Sequence, residues 1–185
     1  DQTEKVIQKL LSEIGTEVEE IPLSEMPDKT PKLPTTPELY AGYSFALPRG
    51  QDVGNSGGLN SKDTVDYVLS GETNRDVIYL QSSWHSNADN LEAKEDSAAI
   101  ILDFLAGSVN IVADNLEEAV EMEVFIDGLY VCKEQAGEDV QFDGEKAFVI
   151  VDKPQLYNVF DGDHGEYNLK LVVKEGFTFH AFTFG

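Results

Sequence analysis

In the stretch SSWHSN, Trp84 stands next to His85, with Asn87 two positions further on; Tyr79 precedes it in the same run and Tyr43 lies earlier in the chain. A flat indole ring can stack on a pyranose while imidazole, amide and phenol groups fix the orientation of its hydroxyls. Trp84, with His85, Asn87, Tyr79 and Tyr43 as neighbours, therefore reads as a candidate carbohydrate site. The competing reading is structural, because tryptophan is heavily buried on average. Tyr157 in QLYNVF faces the same choice, since its hydroxyl can satisfy a loop backbone.

A second kind of chemistry is suggested by DGDHGE, where Asp161, Asp163 and Glu166 bring three hard oxygen donors onto one short run, a set suited to Ca2+. An EF-hand loop counted from Asp161 wants glutamate at its twelfth position and meets Val172 instead. The alternative is a solvated hairpin turn at Asp161-Gly162. Nucleophilic catalysis has little support. His85, His164 and His180 could act as bases, but neither a Gly-x-Ser-x-Gly elbow nor a His-Glu-x-x-His helix accompanies them. Paired carboxylates for glycoside hydrolysis carry no signal in so acidic a chain, because such pairs occur everywhere.

The single cysteine, Cys132, excludes an intrachain disulfide and a Cys-x-x-Cys redox pair. In MEVFIDGLYVCKE it falls on the face of Tyr130, which predicts a half-buried strand residue. The 35 acidic residues against 13 basic ones leave a net charge of −22, which opposes binding to nucleic acid or anionic lipid. No apolar run approaches the roughly 20 residues that cross a bilayer, and the first residues lack the layout of a signal peptide. The chain begins at Asp1 without methionine, which fits a processed piece.

These residues must be positioned by a mostly β scaffold. Residues 1–14 carry Val6, Ile7, Leu10, Leu11 and Ile14 on one helical stripe, with Gly15 at the place of a C-terminal cap. From 16 to 35 the pattern gives way to Pro22, Pro27, Pro31 and Pro34 in a polar context, read as a stiff linker. Beyond it, short apolar or alternating runs are separated by turn signals at Gly71, Asp127-Gly128, Asp143-Gly144, Asp161-Gly162 and Glu175-Gly176, the texture of a sandwich or barrel. SAAIILDFLAGSVNIVA reads as consecutive strands, and 49–62 as a surface loop. The run FTFHAFTFG is expected inside a sheet, with Phe177 and Phe179, then Phe182 and Phe184, on the core and a slip of register near His180 and Ala181.

Several stretches, taken in order, resemble the C-terminal domain of DipZ-type thioredoxin-like proteins: TPELYAGY, SVNIVA, VFIDG, GEDV, QLYNV and HAFTFG. The resemblance implies a jelly-roll β-sandwich over residues 36–185, like a carbohydrate-binding module. It also implies that residues 1–15 are the last helix of a preceding thioredoxin domain, joined through the linker. The catalytic Cys-x-x-Cys of that domain has no counterpart here, so the expected role is that of a non-enzymatic accessory domain.

The implied setting is an extracytoplasmic thiol-disulfide protein, and the implied partners are the upstream thioredoxin domain and a glycan. No cofactor is expected beyond the Ca2+ already considered. The alternative is a protein-interaction or homodimerisation sandwich with no small ligand. Isolated helices of the length of 1–14 are marginal in water. A peptide covering residues 1–20 is accordingly expected to show weak helicity by circular dichroism, and strong helicity would remove the need for a packing partner.

Overall fold

The computed structural model describes residues 2–14, 33–116 and 118–185. The predicted cap at Gly15 and most of the predicted linker lie outside the described residues. The chain divides into two units, Asp1–Thr30 and Pro31–Gly185. In the first, helix α1 (Gln2–Glu13) carries the expected stripe and an i,i+4 pair of Lys9 with Glu13 at 3.9 Å.

The second unit is built from eleven strands: β1 (Leu39–Tyr40), β2 (Thr64–Tyr67), β3 (Ile78–Ser86), β4 (Leu91–Ala93), β5 (Ala98–Asn115), β6 (Val120–Ile126), β7 (Leu129–Tyr130), β8 (Gln141–Asp143), β9 (Lys146–Val151), β10 (Gln155–Val173) and β11 (Phe177–Phe184). They join in the order β1-β11-β4-β3-β5-β10-β6-β9-β8, with β2 added to β3 and β7 to β6. This is the all-β sandwich class expected from the sequence.

β5 and β10 form an antiparallel ribbon along nearly their whole lengths, from Ala98 opposite Val173 to Ala113 opposite Gln155. The free edge of β5 is shared between two strands. Its first part pairs with β3, Ile78 opposite Leu102, and its last part with β11, Phe182 opposite Ile111. Because β3 also pairs with β4 and β4 with β11, the ladder β5–β3–β4–β11–β5 closes on itself. Ser82 adopts a left-handed φ of 75° where β3 leaves β5 and takes up β4, and its hydroxyl is tied to Glu95 at 2.7 Å.

The enclosed core holds Trp84, Phe104, Phe160, Phe177, Phe179 and Phe182, all fully buried. The expected slip in β11 is present as a register shift between Phe179 and Ala181. It lets phenylalanines spaced two and then three apart all reach the core. The last residue is held too: Gly185 accepts hydrogen bonds from the amides of Gly107 and Ser108 and donates one to Ser108.

Two expectations are corrected. SAAIILDFLAGSVNIVA forms one 18-residue strand, not two. Gly107 marks a close approach of backbones, its missing Cβ facing the Gly185 carbonyl at 3.4 Å, and the chain does not turn there. Likewise Asp161-Gly162 lies within the 19-residue β10. The extra residues between Asp161 and Gly165 are absorbed as a bulge against β5, so tertiary pairing overrides the local turn signal.

Opposite the core, alternate residues of β6 and β9 form an outward face. Phe125 stacks on Tyr130 with centroids 4.3 Å apart, and the Tyr130 hydroxyl donates to Glu123 at 2.6 Å. Lys146 bridges Glu121 and Glu123, the latter at 3.3 Å. Burial pushes the Glu123 carboxyl up, but hydrogen bonds from Tyr130 and Lys146 outweigh it and hold the group below the ordinary value.

Replacing the fully buried Phe179 by alanine should cost about 3–5 kcal/mol in urea unfolding, against a negligible change for the exposed Leu129→Ala. The depressed Glu123 carboxyl stabilises the fold above its unfolded pKa of about 4.3, and that contribution is lost as the pH falls through the lower folded value. Glu123→Gln should therefore lower the urea midpoint at neutral pH, and the gap should narrow as the pH is taken to about 3. An equal gap at both ends would assign the effect to packing.

Candidate functional site

The sequence-predicted sugar platform does not form. Trp84 is fully buried, and its indole N–H donates to the Gln81 carbonyl at 3.0 Å, so the ring has neither a free face nor an unsatisfied donor. Strand alternation separates it from Tyr79, which packs with Ala99 and Ile101 in a different cluster and whose hydroxyl accepts from the Asn74 amide and side chain. His85 is half-buried and hydrogen-bonded through Nδ1 to the Thr64 hydroxyl at 2.8 Å. Only Tyr43 and Asn87 meet, through the Tyr43 amide and the Asn87 carbonyl at 3.2 Å.

The three proposed calcium ligands are likewise not assembled. Asp161, Asp163 and Glu166 sit on or beside the β10 bulge, and Glu166 pairs with Arg75 at 2.5 Å. Among the described residues, no group of three His, Cys, Asp or Glu side chains is placed to share an ion. Cys132 is exposed just after β7, with Sγ 3.5 Å from Gln135 Oε1; the half-buried strand position expected for it is corrected, because β7 ends at Tyr130. Tyr157 is structural: its hydroxyl donates to the Lys153 carbonyl at 2.7 Å.

A concave site lies elsewhere, where the start of this unit folds over β3 and β4. Gly42 begins it: a Cβ there would fall 2.3 Å from the Asp89 backbone, so only glycine lets helix α2 (Tyr43–Ala46) lie against the 87–89 turn. A 3-10 turn follows at Leu47–Arg49 and ends at Gly50 in the left-handed region. This reversal carries the Arg49 guanidinium back over Tyr40, 4.4 Å from its centroid, while Arg49 Nη1 donates to the Phe45 carbonyl at 2.9 Å. The Phe45 ring lies nearly parallel to Tyr40 at 6.3 Å and is exposed.

Beside Tyr40 opens a cleft of ≈ 310 Å3 with an apolar floor that includes Leu39, Val53, Ile78 and Leu91, and with Gln51, Asp52 and Asp76 on its walls. Each polar wall is fixed. Gln51 accepts from the Tyr40 amide and donates to the Glu38 carbonyl. Asp52 Oδ1 accepts from the amides of Val53 and Leu59, which folds the 52–59 loop. Asp76 holds a left-handed φ of 65°, its amide donating to the Asp103 carbonyl at 2.9 Å and its Oδ1 accepting from the buried Thr36 hydroxyl. A hydrogen bond to Glu38, followed by burial, raises the Tyr40 hydroxyl above its ordinary pKa. The cleft can therefore present one ring, a hydrophobic floor and two carboxylates to a small ligand.

Leu39 and Tyr40 lie in TPELYAGY, and Gln51, Asp52 and Val53 in the 49–62 loop, but the sequence marks none of them as a site residue. The nearest signal is TPELYAGY, which points to Tyr43 rather than Tyr40. Asp52 and Asp76 stand alone in polar loops, and nothing in their spacing links them.

The family model described as Thioredoxin like C-terminal domain matches residues 36–185. Among solved structures, the chain is similar to a family two carbohydrate esterase from Clostridium thermocellum in complex with cellohexaose, at 14% identity and TM-score 0.41, covering 52% of this chain and 27% of that one. It is also similar to a family two carbohydrate esterase from Cellvibrio japonicus, at 12% identity and TM-score 0.44, covering 57% of this chain and 29% of that one. The chain thus spans less than a third of either esterase. No curated protein matches it. With residues 36–185 matched by its model, the chain belongs to the family of thioredoxin-like C-terminal domains.

Proposed function

We propose that residues 36–185 are a non-catalytic accessory domain of a DipZ-type, extracytoplasmic thiol-disulfide protein, and that they bind a glycan in the cleft beside Tyr40. The lone Cys132 leaves dithiol chemistry to an upstream thioredoxin domain. The observation that carries the glycan reading is the cleft itself: an aromatic ring and an apolar floor for the carbon face of a sugar, with fixed carboxylates to accept its hydroxyls. Binding there would anchor the tethered redox domain near a glycan-bearing surface.

A second reading is favoured by a different observation. The outward face of β6 and β9, where half-buried Phe125, Tyr130 and Phe148 surround the Glu123–Lys146 network, has the mixed aromatic and polar make-up of a protein interface.

A glycan array probed with the purified chain and with Tyr40→Ala separates the two. The glycan reading expects binding to the parent and loss of at least about tenfold in a variant whose urea midpoint is unchanged. Undiminished binding by Tyr40→Ala would move the site away from the cleft. No binding by the parent to any glycan would leave the outward face as the functional surface.

A further inference from the structure

The outward face of β6 and β9 continues across the strands on either side. Glu123 stands between Val172 of β10 and Phe148 of β9, Phe125 between Lys170 of β10 and Tyr130 of β7, and Phe148 lies opposite Gln141 of β8. A sheet face turned to water is ordinarily polar, yet Phe125, Phe148 and Ile150 sit on this one, half-buried and outside both hydrophobic clusters. The chain covers the far end of the same face itself: Leu69 and Val77, with Val172, pack against Tyr79, Ala99 and Ile101, and Ile101 lies opposite Lys170.

Charge says what kind of partner fits the rest. Between β8 and the part of β10 paired with β6, with Lys174 just beyond it, Glu121, Glu123 and Asp143 are matched by Lys146, Lys170 and Lys174, although the chain has 35 acidic residues to 13 basic ones. Lys146 is shared by Glu121 and Glu123. Lys170 and Asp143 stand at opposite margins of the patch, on β10 and β8, and neither side chain has an ion-pair partner among the described residues. A strongly charged partner calls for a surface of the opposite sign; a balanced surface with one unpaired charge of each sign at its two margins is complementary to itself.

Resting on the reading of this face as a protein interface, we infer that its occupant is a second copy of this chain, joined face to face about a two-fold axis along the strands. That rotation exchanges the margins, so Lys170 of each copy meets Asp143 of the other while Phe125, Phe148 and Ile150 are covered between them. A net charge of −22 makes two copies repel in most orientations, and this face is where the repulsion is cancelled. With strands about 4.8 Å apart and a rise of about 3.3 Å per residue, the patch measures roughly 400 Å2 on each copy. That is the size of a weak interface, with a Kd of about 10–100 μM.

Sedimentation equilibrium of the full chain from about 1 to 500 μM should show a monomer–dimer equilibrium in that range. Phe148→Ser should weaken it at least about tenfold. Lys170→Asp and Asp143→Lys leave the apolar packing alone, and each should weaken it about three- to tenfold, because every dimer loses two pairs. The double variant reverses both pairs without breaking them and should restore the parent's Kd, with urea midpoints unchanged throughout. Leu10→Glu, on the exposed stripe of α1, should alter nothing.

A monomer at every concentration would overturn the second copy and leave the face to a different protein. Dimers that survive both Phe148→Ser and Lys170→Asp, or that are lost with Leu10→Glu instead, would place assembly elsewhere and overturn it too. A double variant as weak as either single one would remove the two-fold arrangement. Glycan binding by the parent that disappears in a folded, monomeric Phe148→Ser would remove the protein-interface reading itself.

Discussion

The ladder between β5 and β10 is the constraint from which the rest of this architecture follows. Two strands of 18 and 19 residues, paired almost end to end, are too long to belong to one sheet of a small sandwich without bending. The bends come at the register shifts after Asn158 and Asp161. Past them the two ends of β5 pair with different neighbours, β3 at one end and β11 at the other. The space between those neighbours is what Trp84, Phe104, Phe160 and the β11 phenylalanines fill. Burial of each large aromatic is worth about 1.5–3 kcal/mol relative to exposure, so the core and the ladder hold one another in place.

This division explains which parts of the fold were legible in the sequence. Where side-chain periodicity and backbone geometry agree, as in the phenylalanines of β11, the residues foretold both the strand and its irregularity. Asp127-Gly128, with both residues at positive φ between β6 and β7, acts as the hairpin it spells. Asp161-Gly162 spells a turn just as well and does not make one, because β5 pairs with β10 on both sides of it, at Asp161 and again from Gly165, and the residues between are taken up as a bulge. The same holds for Gly107. Such outcomes depend on what lies across the ladder, residues distant in sequence, and a local reading has no access to them.

The site was less legible for a related reason. Tryptophan attracts attention as a sugar platform, yet in β3 the alternation that buries Leu80 also buries Trp84, and the Gln81 carbonyl satisfies its one donor. The cleft is assembled from pieces with no shared pattern: Tyr40 from an edge strand, Asp52 from a loop closed by its own carboxylate, and Asp76 from a left-handed position pinned by Thr36 and Asp103. What brings them together is the glycine contact at Gly42 and the reversal at Gly50, which fold the first residues of the domain back across β3 and β4. Chemistry carried on such return loops is typical of sites that a rigid sheet positions but does not itself contain.

The pairing of β1 with β11, Leu39 opposite Phe182, also has a kinetic meaning. Strands from opposite ends of residues 36–185 are neighbours, and β11 lies between β1, β4 and β5. During synthesis, the early strands leave the ribosome with the seam they are to meet still missing. Cooperative closure must wait until the segment around Phe177–Phe184 has emerged. Non-local pairing of this kind slows folding and lengthens the exposure of unpaired strand edges.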